Sequence, residues 1–227
     1  MAQVFAIGEA VNDEERKAIA WLKDKLPDDY FVIHSFEVEQ FDQLFEVDIC
    51  VVAPHAIYLV DAKGIHGQVE VAGNSWHTTH TSYRSPLPKL RGNAKSLSGL
   101  ICNQNRANKD LKNIYVDTAV VLTIDDCMFL DPEDRERGHV VSLKNSTRFF
   151  TDSLRIPERF ERNVTKYIQI IAEALGKSAK KRSHGERYGN WEVAETLTVN
   201  EYFTEYRAFN VTAGRKGGTV LAKAYKA

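Results

Sequence analysis

The chain has 227 residues, 43% of them hydrophobic and 27% charged, with a formal net charge of −1. That composition excludes global disorder, and without overall basicity any nucleic-acid binding needs a local basic face. No apolar run approaches the ~18 residues of a membrane-spanning helix. Cys50, Cys102 and Cys127 fit neither a zinc spacing nor a disulfide framework, so a reducing compartment is expected. The first residues lack the basic region and long apolar core of a signal peptide, which places the expectation in the cytoplasm.

After a lead-in over residues 1–11, Asn12 can cap a helix with Glu15 as its capping-box partner. Ala18, Ile19, Trp21, Leu22 and Leu26 make the apolar stripe, and Pro27 stops it. Tyr30 to Glu37 alternates as a strand. Val47 to Val52 and Ile57 to Val60 are continuous apolar runs about a turn at Pro54-His55, the pattern of strands covered on both faces. Gln68 to Ala72 reads as a further strand before the Gly73-Asn74 turn. Residues 74–88 read as an irregular loop, polar, aromatic and basic together. A second helix is expected over Lys89 to Lys112, a buried strand over Val116 to Ile124, a charged loop over Asp125 to Arg137, a short strand over Val140 to Leu143, and an amphipathic helix over Pro157 to Leu175.

The composition then shifts. Residues 177–190 are basic and rich in small polar residues, as in a linker. Beyond them, Tyr202 to Asn210 and Thr219 to Tyr225 are strand-like, a C-terminal hairpin too small to bury its own core. The expected organisation is a first domain over residues 1–176, a linker, and the incomplete start of a second domain over residues 191–227.

The chemistry concentrates between Phe45 and Gly67. Asp48 and Asp61 lie in or at the end of apolar strands, where a lone buried carboxylate is costly. Lys63, two residues after Asp61, shares its face in an extended chain. Two readings fit. In one, Asp48, Asp61 and the main-chain carbonyl of Ala62 hold a hard divalent cation, Glu15 completes the set from the first helix, and Lys63 orients water at a phosphodiester. In the other, Asp61 is a strand-end residue paired with Lys63, and Asp48 caps a turn. Trp76, His77, Arg84, Lys89 and Lys95 interleave aromatic and positive groups after this stretch and are the candidate nucleic-acid contacts. His77 and His80 have the spacing of a metal pair but sit among Thr and Ser and read as loop.

The stretch from Asn12 to about Leu111 resembles the nuclease-related domain family, NERD, of the PD-(D/E)xK nuclease superfamily. The resemblance rests on Glu15-x-x-Ala18-x-x-x-Leu22, Val47-Asp48-Ile49 and Tyr58-Leu59-Val60-Asp61-Ala62-Lys63-Gly64. It extends through Gly67-Gln68-Val69, Trp76 and Ser85-Pro86-Leu87, which lead into a lysine-bearing helix. It implies an α/β fold with a restriction-endonuclease-like core, a mixed central sheet flanked by helices. It also implies Mg²⁺- or Mn²⁺-dependent hydrolysis of DNA by Glu15, Asp48, Asp61 and Lys63. The chain departs from the family in an Asp where Glu is commoner, at Asp61, and in Lys89 where glutamine is frequent.

The tail from Trp191 to Tyr225 is similar to the first strands of protein-kinase domains that follow NERD domains in bacterial phage-defence proteins. Lys223 of Val-Leu-Ala-Lys stands at the place of the nucleotide-contacting lysine. No G-x-G-x-x-G loop, H-R-D or D-F-G element is present, so no kinase activity is expected of this chain. The resemblance implies other domains of a longer parent protein as partners. A catalytically silent nuclease-like module that binds DNA or regulates an attached kinase is the alternative, and a self-associating interaction domain, a homo-oligomer, is a further one.

Overall fold

The computed structural model describes residues 1–40, 43–181, 187–188, 191–210 and 218–225. Contacts divide the chain into two units, one of Met1–Val38 with Glu46–Arg182, the other of Glu39–Phe45 with Ser183–Ala227.

In chain order the elements are β1 (Gln3–Ala6), α1 (Asp13–Lys25), β2 (Phe31–Gln40), β3 (Gln43–Val52), β4 (Ile57–Lys63), β5 (Gln68–Ala72), β6 (Ser75–Thr78) and β7 (Ser82–Arg84). They continue with α2 (Leu87–Gln104), β8 (Val116–Leu122), β9 (Met128–Leu130), β10 (Val140–Ser142), α3 (Leu143–Thr151), α4 (Ile168–Ser178) and β11 (Ala179–Lys181). Last come β12 (Arg187–Tyr188), β13 (Trp191–Val199), β14 (Phe203–Asn210) and β15 (Thr219–Tyr225).

The central sheet runs β1-β2-β3-β4-β8-β10, with β11 on β2. It is mixed: β3 and β4 are antiparallel, while β4, β8 and β10 are parallel neighbours. The β3–β4 turn is closed by the Ala53 N–H donating to the Ala56 carbonyl at 2.8 Å. Alternation then sorts β4 into two faces. Tyr58, Val60 and Ala62 enter a core with Leu22, Leu26, Phe149 and Phe150, under α1 and α3. Leu59, Asp61 and Lys63 are left to the opposite face, where α2 packs. A second core gathers Val69, Val71, Trp76 and Leu87 with Val120 and Leu122 of β8.

Several expectations are corrected. The lead-in contains β1, parallel to β2 from Gln3↔Phe31 to Ala6↔His34. The expected loop at 74–88 forms β6 and β7, strands of a separate sheet ordered β7-β6-β5-β9. The second helix starts at Leu87 with Pro88 in its first turn, the position Pro tolerates, and ends at Gln104. The charged loop contains β9. Val140 to Leu143 is a strand only to Ser142, and α3 follows at once.

The expected helix from Pro157 begins only at Ile168 with a short 3₁₀ turn before it, because the preceding residues are committed elsewhere. Phe160 packs on Tyr115 at 4.7 Å, the Glu161 N–H donates to the Asn113 carbonyl, and the Val164 N–H to that of Pro54. Within the expected linker, Ala179–Lys181 is a sheet strand antiparallel to β2, satisfying backbone groups a linker would leave to water. Residues 182–186 and 189–190 of that segment lie outside the described residues.

In the second unit, β12-β13-β14-β15 make an antiparallel sheet. The tail is therefore more than a hairpin, since β13 adds a long strand with bulges near Val193 and Thr196.

Candidate active site

The carboxyl end of β4 delivers the Asp61-Ala62-Lys63 run to the end of the sheet. The β3–β4 ladder runs from Val52↔Ile57 to Ile49↔Val60, and Asp48 and Asp61 are the next residues beyond that last pair. Both line one cleft. Like charges gathered in one cleft repel, and the cost falls when a cation sits among them. α1 and α2 complete a cleft of about 320 Å³ that takes in Glu15, Asp48, Asp61, Ala62, Lys63 and Lys89.

Each wall has a local cause. The Asn12 side chain accepts the Glu15 N–H at 2.8 Å, and the Glu15 carboxylate in turn accepts the Val11 N–H and the Asn12 side-chain amide, each at 3.0 Å. This is a variant of the expected capping box, in which the carboxylate reaches the side-chain amide of the cap and the N–H of the residue before it. The start of α1 is anchored to the residue that follows β8: Lys17 donates to the Thr123 carbonyl at 2.5 Å, and the Thr123 hydroxyl donates to the Glu14 carboxylate. Thr123 N–H donates to the Lys63 carbonyl at 3.0 Å, tying this anchor to the end of β4. Gly64 leaves room for the Glu14 side chain, which a Cβ would strike. Across the cleft, Asn93 of α2 donates its side-chain amide to the Glu46 carbonyl at 3.2 Å.

Lys63 Nζ lies 3.0 Å from Asp61 Oδ1, so the ion pair of the second sequence reading is present inside the cleft of the first. Sequence reasoning missed Glu46, although period-two alternation puts it on the face of Asp48; Asn93 carried no sequence signal. With Glu46 the lining holds four carboxylates against two ammonium groups, an excess of two negative charges.

That oxygen-rich, negatively charged donor set fits a hard divalent cation, with Asp48, Asp61 and the Ala62 carbonyl as the natural holders. Glu15 is placed differently: it borders the cleft, but both its carboxylate oxygens already serve the amino end of α1. Among the described residues, no group of three or more His, Cys, Asp or Glu side chains is disposed as a metal-binding cluster.

Residues 10–123 match the nuclease-related domain, NERD. The chain belongs to the NERD family. No curated protein and no solved structure matches it. The NERD match spans the cleft from Asn12 to Asn93, together with the buried strand β8.

The expected nucleic-acid contacts of this NERD domain lie in four different places. Lys89 is exposed at the lip of the cleft, in the first turn of α2. His77 and Arg84 are exposed on the β6–β7 hairpin. Trp76 is corrected: it is fully buried, its indole N–H donates to Glu136 at 2.5 Å, and Phe129 packs edge-on at 5.3 Å, so no face is left for a base. Lys95 lies on α2 beside a different cavity from Lys89. The Cys50 thiol, buried in β3, is pushed up to about 12 by desolvation and is an inert core group.

In the second unit, Lys223 of β15 is paired in register with Glu205 of β14, 3.5 Å from its carboxylate, and its ammonium lies 4.7 Å from the centre of the Phe203 ring. No helix is long and apolar enough to cross a membrane among the described residues.

Proposed function

We propose that this NERD domain is a metal-dependent endonuclease that hydrolyses phosphodiester bonds of DNA. The observation that carries the reading is the cleft at the end of β4, which Asp48 and Asp61 line together just beyond the last β3–β4 pair, with Lys63 within 3.0 Å of Asp61. Asp48, Asp61 and the Ala62 carbonyl would hold Mg²⁺ or Mn²⁺, with Glu15 closing the set from α1. When bound, such an ion activates water and offsets charge on the scissile phosphate.

The chain's own groups supply the rest. Lys63, released from Asp61, has three donors with which to orient the attacking water and contact a phosphate oxygen. Lys89 at the cleft lip neutralises a neighbouring phosphate, and Arg84 and His77 extend the contact along the backbone. The β13–β15 strands with Lys223 are consistent with the start of a kinase-like domain, and in a phage-defence protein the substrate would be foreign DNA.

A second reading has its own support. Glu15 engaged by Val11 and Asn12, and Lys63 engaged by Asp61, describe a cleft whose groups are satisfied internally. That favours a silent module that binds DNA or a partner.

Plasmid nicking with Mg²⁺ or Mn²⁺, with EDTA as control, separates the two. Cutting by the wild type that is lost in both Asp61→Ala and Lys63→Ala supports the nuclease and its site. Cutting that survives both substitutions overturns the site assignment, and DNA binding without cutting supports the silent module.

A further inference from the structure

Behind α2 lies a second cavity of about 540 Å³, lined by none of the residues of the carboxylate cleft. It opens beside the start of β8. In the β4–β8 register Asp61 stands beside Val120, so Asp117 lies three residues, about 10 Å, back along the sheet. The size is that of a pocket for a small organic ligand.

Its chemistry is two-sided. One side is cationic: Arg91 and Lys95 project from α2, and Lys112 from the 3₁₀ turn that follows. All three are exposed, and among the described residues none has an ion-pair or hydrogen-bond partner for its side chain. The other side is apolar and aromatic, with Tyr115 and Phe160 in ring contact at 4.7 Å beside Ile114 and Val116.

Between the two sides sits a polar pair. Asp117 is buried, and its carboxylate lies 3.3 Å from His139 Nδ1, which also reaches the Thr118 carbonyl at 3.1 Å. Both partners are acceptors, so Nδ1 carries a proton, and Nε2 is the ring nitrogen left for a ligand.

A cationic rim selects an anion. The half-buried rings add a preference for a flat apolar body. The Asp117 carboxylate, an acceptor inside an otherwise positive site, favours a ligand that also brings hydroxyl or amino donors. Inorganic phosphate lacks the body and a fatty acid lacks the donors; a nucleoside phosphate has all three. We propose that this second cavity binds a nucleoside phosphate, with the phosphate at Arg91, Lys95 and Lys112 and the base against Tyr115 and Phe160. The chemistry is the same whether the nucleotide is free or is the end of a nucleic-acid strand. The assignment does not depend on the nuclease reading.

The test is calorimetric titration of the full chain with adenosine monophosphate in EDTA. Saturable binding is expected, with adenosine and inorganic phosphate each weaker by about tenfold or more. The double variant Arg91→Glu/Lys112→Glu, altered only at exposed positions and checked for fold by circular dichroism, weakens binding by about tenfold or more. Asp61→Ala leaves it intact, which separates this cavity from the carboxylate cleft.

A 5′-phosphorylated tetranucleotide distinguishes the sources. Tighter binding than the monophosphate, with the same loss in the double variant, identifies a strand end, and weaker binding identifies the free nucleotide. No saturation by either probe up to about 10 mM overturns the proposal. So does phosphate binding as tightly as adenosine monophosphate, or affinity that is unchanged in the double variant and lost in Asp61→Ala.

Discussion

Replacing Glu15 by Ala tests whether that residue belongs first to the helix or to a metal. Its side chain is buried, and its carboxylate accepts two hydrogen bonds of 3.0 Å, from the Val11 N–H and the Asn12 amide. A hydrogen bond to a charged group is worth ~1.5–3 kcal/mol, so two lost bonds set an upper limit of about 6 kcal/mol. Removing a carboxylate from a cleft that holds three others relieves repulsion, and the emptied place is open to water. The net loss expected is about 2 kcal/mol, or ~4–8 °C in melting temperature for a domain of this size. Glu15→Gln keeps one acceptor and loses about half as much. The assay is thermal unfolding in EDTA, followed by circular dichroism, so that no metal contributes. A Glu15→Ala variant melting within about 1 °C of wild type in EDTA refutes the capping argument. The carboxylate would then matter only when an ion is present.

The other predictions concern separate parts of the molecule. Mn²⁺ at one hundred times its dissociation constant is expected to stabilise the wild type by about 2.7 kcal/mol, and Asp48→Ala and Asp61→Ala are each expected to abolish the accompanying rise in melting temperature. Lys63→Ala retains that rise or enlarges it, because it frees Asp61 from its ion pair, while it removes nicking; a thermal shift titration beside the plasmid assay reads both. Trp76→Phe costs about 2–4 kcal/mol in urea unfolding by leaving Glu136 without its indole donor, whereas Glu136→Gln, which keeps an acceptor, costs about 1 kcal/mol.

His139 gives a pH signature. Its hydrogen bond to Asp117 holds its pKa above the ordinary value against the opposing effect of burial. A raised folded-state pKa contributes stability fully present below the unfolded value of about 6.5 and lost as pH rises through the folded value. The stability difference between wild type and His139→Gln is therefore larger at pH 6 than at pH 8.5. An equal difference at both pH values removes the Asp117 pair as its cause.

Much of the site was legible because it depends on short-range order. The apolar runs about Pro54-His55 specify a buried hairpin, and period-two alternation then fixes which face Asp61 and Lys63 share. The Asn12–Glu15 spacing announced the cap that engages Glu15. What failed depended on long-range contacts. Trp76 reads as an aromatic among basic loop residues until Phe129 and Glu136, more than fifty positions later, enclose it. Phe160 has helical spacing with Val164 and Tyr167, but its packing on Tyr115 and the Glu161–Asn113 bond outcompete the first turns of that helix. Lys89 and Lys95 are one charge run in sequence, yet α2 turns them to different cavities.

The position of β4 has a consequence in time. Over Ile57–Val60 the strand is paired on both edges, with β3 and with β8, and its Asp61–Lys63 end is paired with β8. Such interior strands exchange their amide hydrogens with solvent through the largest openings a domain undergoes. Asp61 and Lys63 continue directly from this doubly paired stretch along β8, so their placement depends on the stretch staying closed. The slowest-exchanging amides of the first unit should therefore lie on Ile57–Val60, beside the proposed reacting groups Asp61 and Lys63, and a substitution that shortens the lifetime of one shortens that of the other.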